Sequence, residues 1–136
     1  MAWPEIRESV TVAGRAERVR VARAFAVGVL GPGHPRGDDA ALLVSELFGN
    51  SVRHSRSGAA GGTVTVAVSA GGLVLVEVTD LSGLGVPELS RAGPDADGGR
   101  GLELVAGMAA RWGWRRQGGR TVTWFELRHP VSERNS

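Results

Sequence analysis

Glu46, Asn50 and His54 recur at every fourth position of Glu46-Leu47-Phe48-Gly49-Asn50-Ser51-Val52-Arg53-His54. On a helix that spacing puts a carboxylate, an amide and an imidazole on one stripe, and two of the three are acid–base groups. The flanking Asp39-Ala40-Ala41-Leu42-Leu43-Val44-Ser45, with Val52, is apolar nearly all round, the pattern of a helix buried against a sheet. A buried carboxylate without a partner costs several kcal/mol or is driven neutral, so Glu46 needs a task.

Two further motifs can do chemistry. Val76-Glu77-Val78-Thr79-Asp80-Leu81-Ser82-Gly83-Leu84-Gly85 ends an apolar strand on an aspartate and enters a glycine turn. A carboxylate there can accept from an exocyclic amine, while glycines let a flat ring approach the backbone. The same residues also fit an Asx-type turn that merely closes a strand. In Gly98-Gly99-Arg100-Gly101-Leu102, glycines open a helix. Free N–H groups at a positive helix end make an anion site, although glycines also precede helices without one.

The elements that must position these residues follow from periodicity and breakers. A strand is expected near Ser9 to Val12, then an amphipathic helix over Ala16 to Leu30 with Val19, Ala22, Ala26 and Val29 on its apolar face. Gly31-Pro32-Gly33-His34-Pro35-Arg36-Gly37 breaks the chain, and Asp38 or Asp39 is expected to cap the helix that carries Glu46 and ends near His54. Two β-branched runs, residues 63–68 and 73–79, read as a hairpin through Ala70-Gly71-Gly72. Leu81 to Gly99 is a long aperiodic loop and a lid candidate. Arg100 to Trp112 reads as a helix, with Leu102, Val105, Ala106 and Ala109 on one face. Residues 113–117 and 121–127 read as a last hairpin about Gly118-Gly119. Residues 1–130 are expected to form one domain and 131–136 a frayed tail.

Composition narrows the chemistry. The 136 residues suffice for one core without staples. No cysteine removes disulfides and thiolate chemistry, and is compatible with the cytoplasm, where the protein is expected. No apolar run approaches membrane length, so no membrane partner is expected. All 16 basic side chains are arginine. Without lysine there is no P-loop, no strand lysine of a eukaryotic-type protein kinase and no Schiff base. The pI of 10.8 reflects the near absence of groups titrating between neutrality and arginine. The formal charge is only +2, and the arginines read as scattered rather than as a basic stripe with aromatics between, so no direct nucleic-acid partner is expected.

Order and spacing of the three motifs resemble the Bergerat-type ATPases, the superfamily of gyrase, MutL and histidine-kinase catalytic domains. The resemblance is closest to the small bacterial anti-sigma-factor serine kinases and similar actinobacterial regulators. Asp38-Asp39-Ala40-Ala41-Leu42-Leu43-Val44-Ser45-Glu46-Leu47 with Asn50 and Arg53-His54 looks like their N-box. Gly99-Arg100-Gly101-Leu102 with Leu104-Val105 looks like their G2 box, and Trp124-Phe125-Glu126-Leu127 like their last strand.

The resemblance implies a two-layer α/β sandwich of the α+β class, a mixed, mostly antiparallel sheet with three helices on one face, and ATP and Mg²⁺ as ligands. Asn50 would bind Mg²⁺ and Glu46 would be the general base. Arg53 would reach the phosphates and His54 would lie beside the nucleotide; both also fit an ordinary solvated helix end. Asp80 would accept from the adenine amine, near Gly83 and Gly85. Gly99, Arg100, Gly101 and Leu102 would cradle phosphates. A threonine of the last strand would touch the adenine region; Thr121 and Thr123 share a face by strand alternation, and both stay candidates. One departure stands out: relatives commonly read Asp-x-Gly-x-Gly, whereas Ser82 and Leu84 occupy those glycine places here. The implied function is a serine protein kinase acting as an anti-sigma-like regulator, expected as a homodimer with a sigma factor and/or an anti-anti-sigma (STAS-type) protein as partner. The alternative is a non-catalytic, nucleotide-dependent binding switch.

Overall fold

The computed structural model describes residues 5–59, 61–81 and 97–128, with backbone alone at 56 and 97–102. The lid candidate at 82–96, with Gly83 and Gly85, lies outside the described residues, as does the tail from 129. Within them the order is β1 (Ile6–Ala13), α1 (Val19–Leu30), α2 (Gly37–His54), β2 (Thr63–Ala70), β3 (Leu73–Leu81), α3 (Asp97–Met108), β4 (Arg111–Gln117) and β5 (Arg120–Arg128). Short 3₁₀ turns precede α1 at Ala16–Arg18 and follow α2 at Arg56–Gly58. No helix among the described residues is long and apolar enough to cross a membrane.

The β-branched runs form a five-stranded sheet in the order β1-β2-β3-β5-β4. Every pairing is antiparallel. Strand alternation sends Val64, Val66, Val68, Val74, Val76, Val78, Phe125 and Leu127 to one face, where all are buried. That face packs against Ala22, Ala26 and Leu30 of α1, Ala40, Leu43, Val44, Leu47 and Phe48 of α2, and Val105 of α3. The α+β sandwich with its helices in one layer is therefore as the resemblance implies, but the sheet of the described residues is antiparallel throughout and not mixed.

Local chemistry moved several boundaries. α2 starts at Gly37 with Arg36 as its N-cap residue and no side-chain cap, so Asp38 and Asp39 sit in the first turn instead of capping it. There they complement the positive helix end, and Asp39 pairs with Arg36 at 3.2 Å. The earlier start comes from a turn: Gly37 N–H donates to the His34 carbonyl at 3.0 Å, while buried His34 accepts from Arg36 N–H at Nδ1, also 3.0 Å. Trp112, expected at a helix end, lies in β4. α3 stops at Met108, Ala110 N–H bonds the Glu126 carbonyl at 2.8 Å to open the ladder, and Trp112 pairs with Phe125 on the helix side of the sheet.

Candidate functional site

α2 carries the first group of site residues, but not on its buried face. That face is Ala40, Leu43, Val44, Leu47, Phe48 and Ser51, whereas Glu46 and Asn50 are half-buried and Leu42 is 41% exposed. The helix is thus not buried all round; it lies in the outer layer, flanked by α1 and α3 and open on top. Ser45 marks the α1 flank, because Arg23 of α1 reaches its hydroxyl at 3.5 Å. Glu46 and Asn50 fall on the other flank, toward α3, as a rotation of about 100° per residue requires. Arg53 and His54 are exposed. Arg53 folds back over Gly49 and donates to the Asn50 side-chain oxygen at 3.3 Å.

Asp80 closes β3 on the helix side of the sheet and is 8% exposed. Ser51, next to Asn50 but turned into the core, donates its hydroxyl to Asp80 Oδ2 at 2.5 Å. Burial pushes the Asp80 carboxyl up to about 6; the Ser51 hydrogen bond and the Arg116 charge pull the other way and lose. One carboxylate oxygen, Oδ2, is therefore held by Ser51. Thr121 is the cross-strand partner of Asp80, and Arg116 of Thr121, so Asp80, Thr121 and Arg116 form one row across β3, β5 and β4. Thr123 is buried one row deeper, opposite Val78. The two threonines do share a face, and the register distinguishes them: Thr121 is the one beside Asp80.

Serines tie the two halves together. Ser55 hydroxyl donates to the Ser51 carbonyl at 2.6 Å and accepts from Ser57 N–H at 2.9 Å, and the fully buried Ser57 hydroxyl accepts from Leu81 N–H at 2.8 Å. The last turn of α2 is thus joined to the end of β3 both through Asp80 and through its neighbour. None of Ser51, Ser55, Ser57 or Arg116 was singled out from the sequence. Ser51 carried a signal, a lone hydroxyl on the face of Ala40, Val44, Leu47 and Phe48.

α3 begins at Asp97, so Gly98, Gly99, Arg100, Gly101 and Leu102 lie within its first turns and not ahead of it. The helix N-terminus, with its unpaired N–H groups, still falls in this glycine segment. The described residues thus join Glu46 and Asn50 on one helix flank and place Asp80 with Thr121 on the sheet below; Gly83 and Gly85 lie outside them.

The model of the histidine kinase-like ATPase domain family matches residues 12–127, from the end of β1 through nearly all of β5. The chain belongs to that family. The RsbU and RsbW domains of Rv1364c from Mycobacterium tuberculosis have a similar fold, with a TM-score of 0.66 at 19% identity. The match covers 93% of this chain and 32% of that one, so the chain spans about a third of the length of that neighbour. No curated protein matches the chain significantly.

For a histidine kinase-like ATPase domain, the donor set suits a magnesium nucleotide. Among the described residues no three His, Cys, Asp or Glu side chains cluster to hold a metal by themselves. A hard cation held by one protein oxygen, waters and substrate phosphates needs no such cage. Asn50 offers that oxygen, and its present partner is a cation, the Arg53 guanidinium. Asp80 is a buried acceptor beside Thr121, which suits the amine of a base.

Proposed function

We propose that this ATPase domain binds Mg·ATP and phosphorylates a serine on a regulatory partner of the anti-anti-sigma type, acting as an anti-sigma-like switch. The observation that carries the reading is Glu46, a half-buried carboxylate one turn before Asn50 on the same helix flank. A domain that only bound nucleotide would need Asn50 and Asp80, but no base.

In this reading Asp80 Oδ1 accepts from the adenine amine while Ser51 holds Oδ2, and Thr121 lines the base beside it. The N-terminal amides of α3 and Arg100 hold the phosphates, with Arg53 released from Asn50 to join them. Asn50 would hold Mg²⁺, which supplies charge neutralisation on the phosphates. Glu46 takes the proton of the attacking serine hydroxyl as its oxygen bonds to the γ-phosphorus; the bond from that phosphorus to the bridging oxygen breaks and ADP leaves. His54 and Thr123 have lesser parts, one at the exposed end of α2 and one a row below the base. Homodimerisation belongs to the same reading, and light scattering tests it.

Labelled ATP and Mg²⁺ incubated with an anti-anti-sigma-type partner test the transfer, with wild type and Glu46→Ala side by side. Wild type should label a serine; the variant should bind nucleotide with similar affinity and transfer roughly 10²-fold or more slowly. Nucleotide binding without transfer by wild type would leave only the non-catalytic switch. Failure of wild type to bind nucleotide would sink both.

A further inference from the structure

All helices of the described residues lie on one side of the sheet, and the other side has an organised charge pattern. Its residues are the alternate set: Leu75, Glu77 and Thr79 on β3, Val122, Trp124 and Glu126 on β5, with β1 and β4 at the margins. Five arginines surround this centre. Arg7 stands on the β1 edge, Arg111 and Arg115 on the β4 edge, and Arg120 and Arg128 at the two ends of β5. All five are exposed.

Three carboxylates lie among them in the described residues: Glu5, exposed beside Gly71 and two residues before Arg7, and Glu77 and Glu126, which are both engaged. Glu77 is held by Arg7 at 3.1 Å and Arg115 at 2.9 Å, which keep its carboxyl below the usual range against the opposing effect of burial, and Glu126 lies 3.8 Å from Arg111. Five arginines against three glutamates leave two positive charges on this face, as many as the net charge of +2 for the whole chain. The basic excess of the chain is therefore gathered here. Trp124 lies flat over Gly113, where any Cβ would press on its ring, and Arg111 stacks above it at 5.9 Å.

We propose that the open sheet face docks an acidic protein surface, with the half-buried Leu75 and Trp124 as the apolar centre and the five arginines as its rim. Aromatic and apolar groups inside an arginine border are the anatomy of a protein–protein interface. The occupant is not a second copy of this chain. A two-fold interface sets a patch against itself and would face two uncompensated positive charges with two more. It is not a nucleic acid either, since a phosphate backbone crossing the face would meet Glu77 and Glu126, and one tryptophan is no platform for successive bases. The inference is independent of the nucleotide site on the opposite side of the sheet.

Fluorescein-labelled poly-L-glutamate serves as the acidic probe and labelled (dT)₂₀ as its competitor, both read by anisotropy on the full chain at low ionic strength. Poly-L-glutamate should bind, weaken with salt, and lose about tenfold in affinity with Arg120→Glu/Arg128→Glu, whose side chains point away from Asp80. Arg18→Glu/Arg20→Glu on the helix side removes the same charge and should change affinity by less than about twofold. Trp124→Ala should weaken binding while leaving the salt slope unchanged. Unaltered thermal unfolding shows that each variant folds; should Trp124→Ala fail to fold, the two arginine pairs alone decide. The proposal is overturned if poly-L-glutamate does not bind, if both charge variants lose affinity equally, or if (dT)₂₀ binds more tightly. A wild-type dimer that Arg120→Glu/Arg128→Glu dissociates in light scattering would overturn it as well.

Discussion

Burial raises the Asp80 carboxyl from 3.8 to about 6, so the folded chain holds its proton more tightly than the unfolded chain does. Above pH about 6 both states are ionised and folding bears the full cost, on the order of 2–3 kcal/mol for a shift of this size. Below about 3.8 both states are protonated and the cost is gone. Asp80→Asn keeps an acceptor for Ser51 and removes the charge. It should raise Tm at pH 8 by roughly 3–6 °C, recovering about 1 kcal/mol or more. The gain should fade as pH drops from 6 toward 3.5, by calorimetry across that range. Nucleotide affinity should fall in the same variant, because an amide is a weaker acceptor than a carboxylate. At the next motif, Arg53 satisfies the Asn50 oxygen only through an exposed 3.3 Å contact, worth about 1 kcal/mol or less. Arg53→Ala should leave stability within about 0.5 kcal/mol of wild type. If Arg53 moves to the phosphates when nucleotide binds, the same change should weaken Mg·ATP measurably more than AMP; equal effects would exclude that role.

The connection between α2 and β2 shows how elements hold these residues at fixed spacing. Ser57 is fully buried, and three glycines crowd this turn: a Cβ at Gly14 or Gly62 would overlap the Ser57 carbonyl, and one at Gly58 the Val52 carbonyl. Gly14 N–H also donates to the Gly62 carbonyl at 2.9 Å, pinning β1 to the same knot. Because the obstructing atoms are backbone, Gly62→Ala cannot be absorbed by a rotamer change and should cost about 2 kcal/mol or more. Urea unfolding should show a lower midpoint at unchanged slope. The strands were legible in the sequence because Val64 to Val68 and Val74 to Val78 combine β-branching with strict alternation, and α2 because its apolar stripe is long. What was not legible needed partners distant in the chain. Trp112 fits a helix or a strand equally until Phe125 is known to face it. The start of α2 depends on a histidine in the preceding turn. Thr121 and Thr123 are equivalent by alternation, and only pairing with β3 sets Thr121 beside Asp80. Glu46 and Asn50 were found through a helix read as wholly buried; their half-exposed flank became visible only once α1 and α3 were known to cover the two sides and leave the top open.

At the scale of the whole molecule, the proposed adenine contact would make the Asp80 proton couple nucleotide to stability. A ligand that binds only the folded chain stabilises it by RT ln(1 + [L]/Kd), about 2.7 kcal/mol at a hundredfold excess over Kd. An adenine amine donating to Asp80 favours the ionised carboxylate, so binding lowers a pKa that stands at about 6 in the free protein. The sign then follows: below pH 6 the free protein must release a proton to bind, and affinity falls as pH drops, while above pH 7 it is flat. The increase in Tm produced by saturating Mg·ATP should accordingly be constant from pH 7 to 8.5 and shrink between pH 6.5 and 5. Titration calorimetry in buffers of different ionisation enthalpy should detect proton release at pH 6 and none at pH 8. The phosphates of ATP also titrate near pH 6 to 7, so the decisive comparison is adenosine, which has no phosphate. Adenosine should lose affinity over the same window if Asp80 receives the amine. A Tm shift with adenosine that ignores pH would place the base elsewhere, whatever the phosphates do.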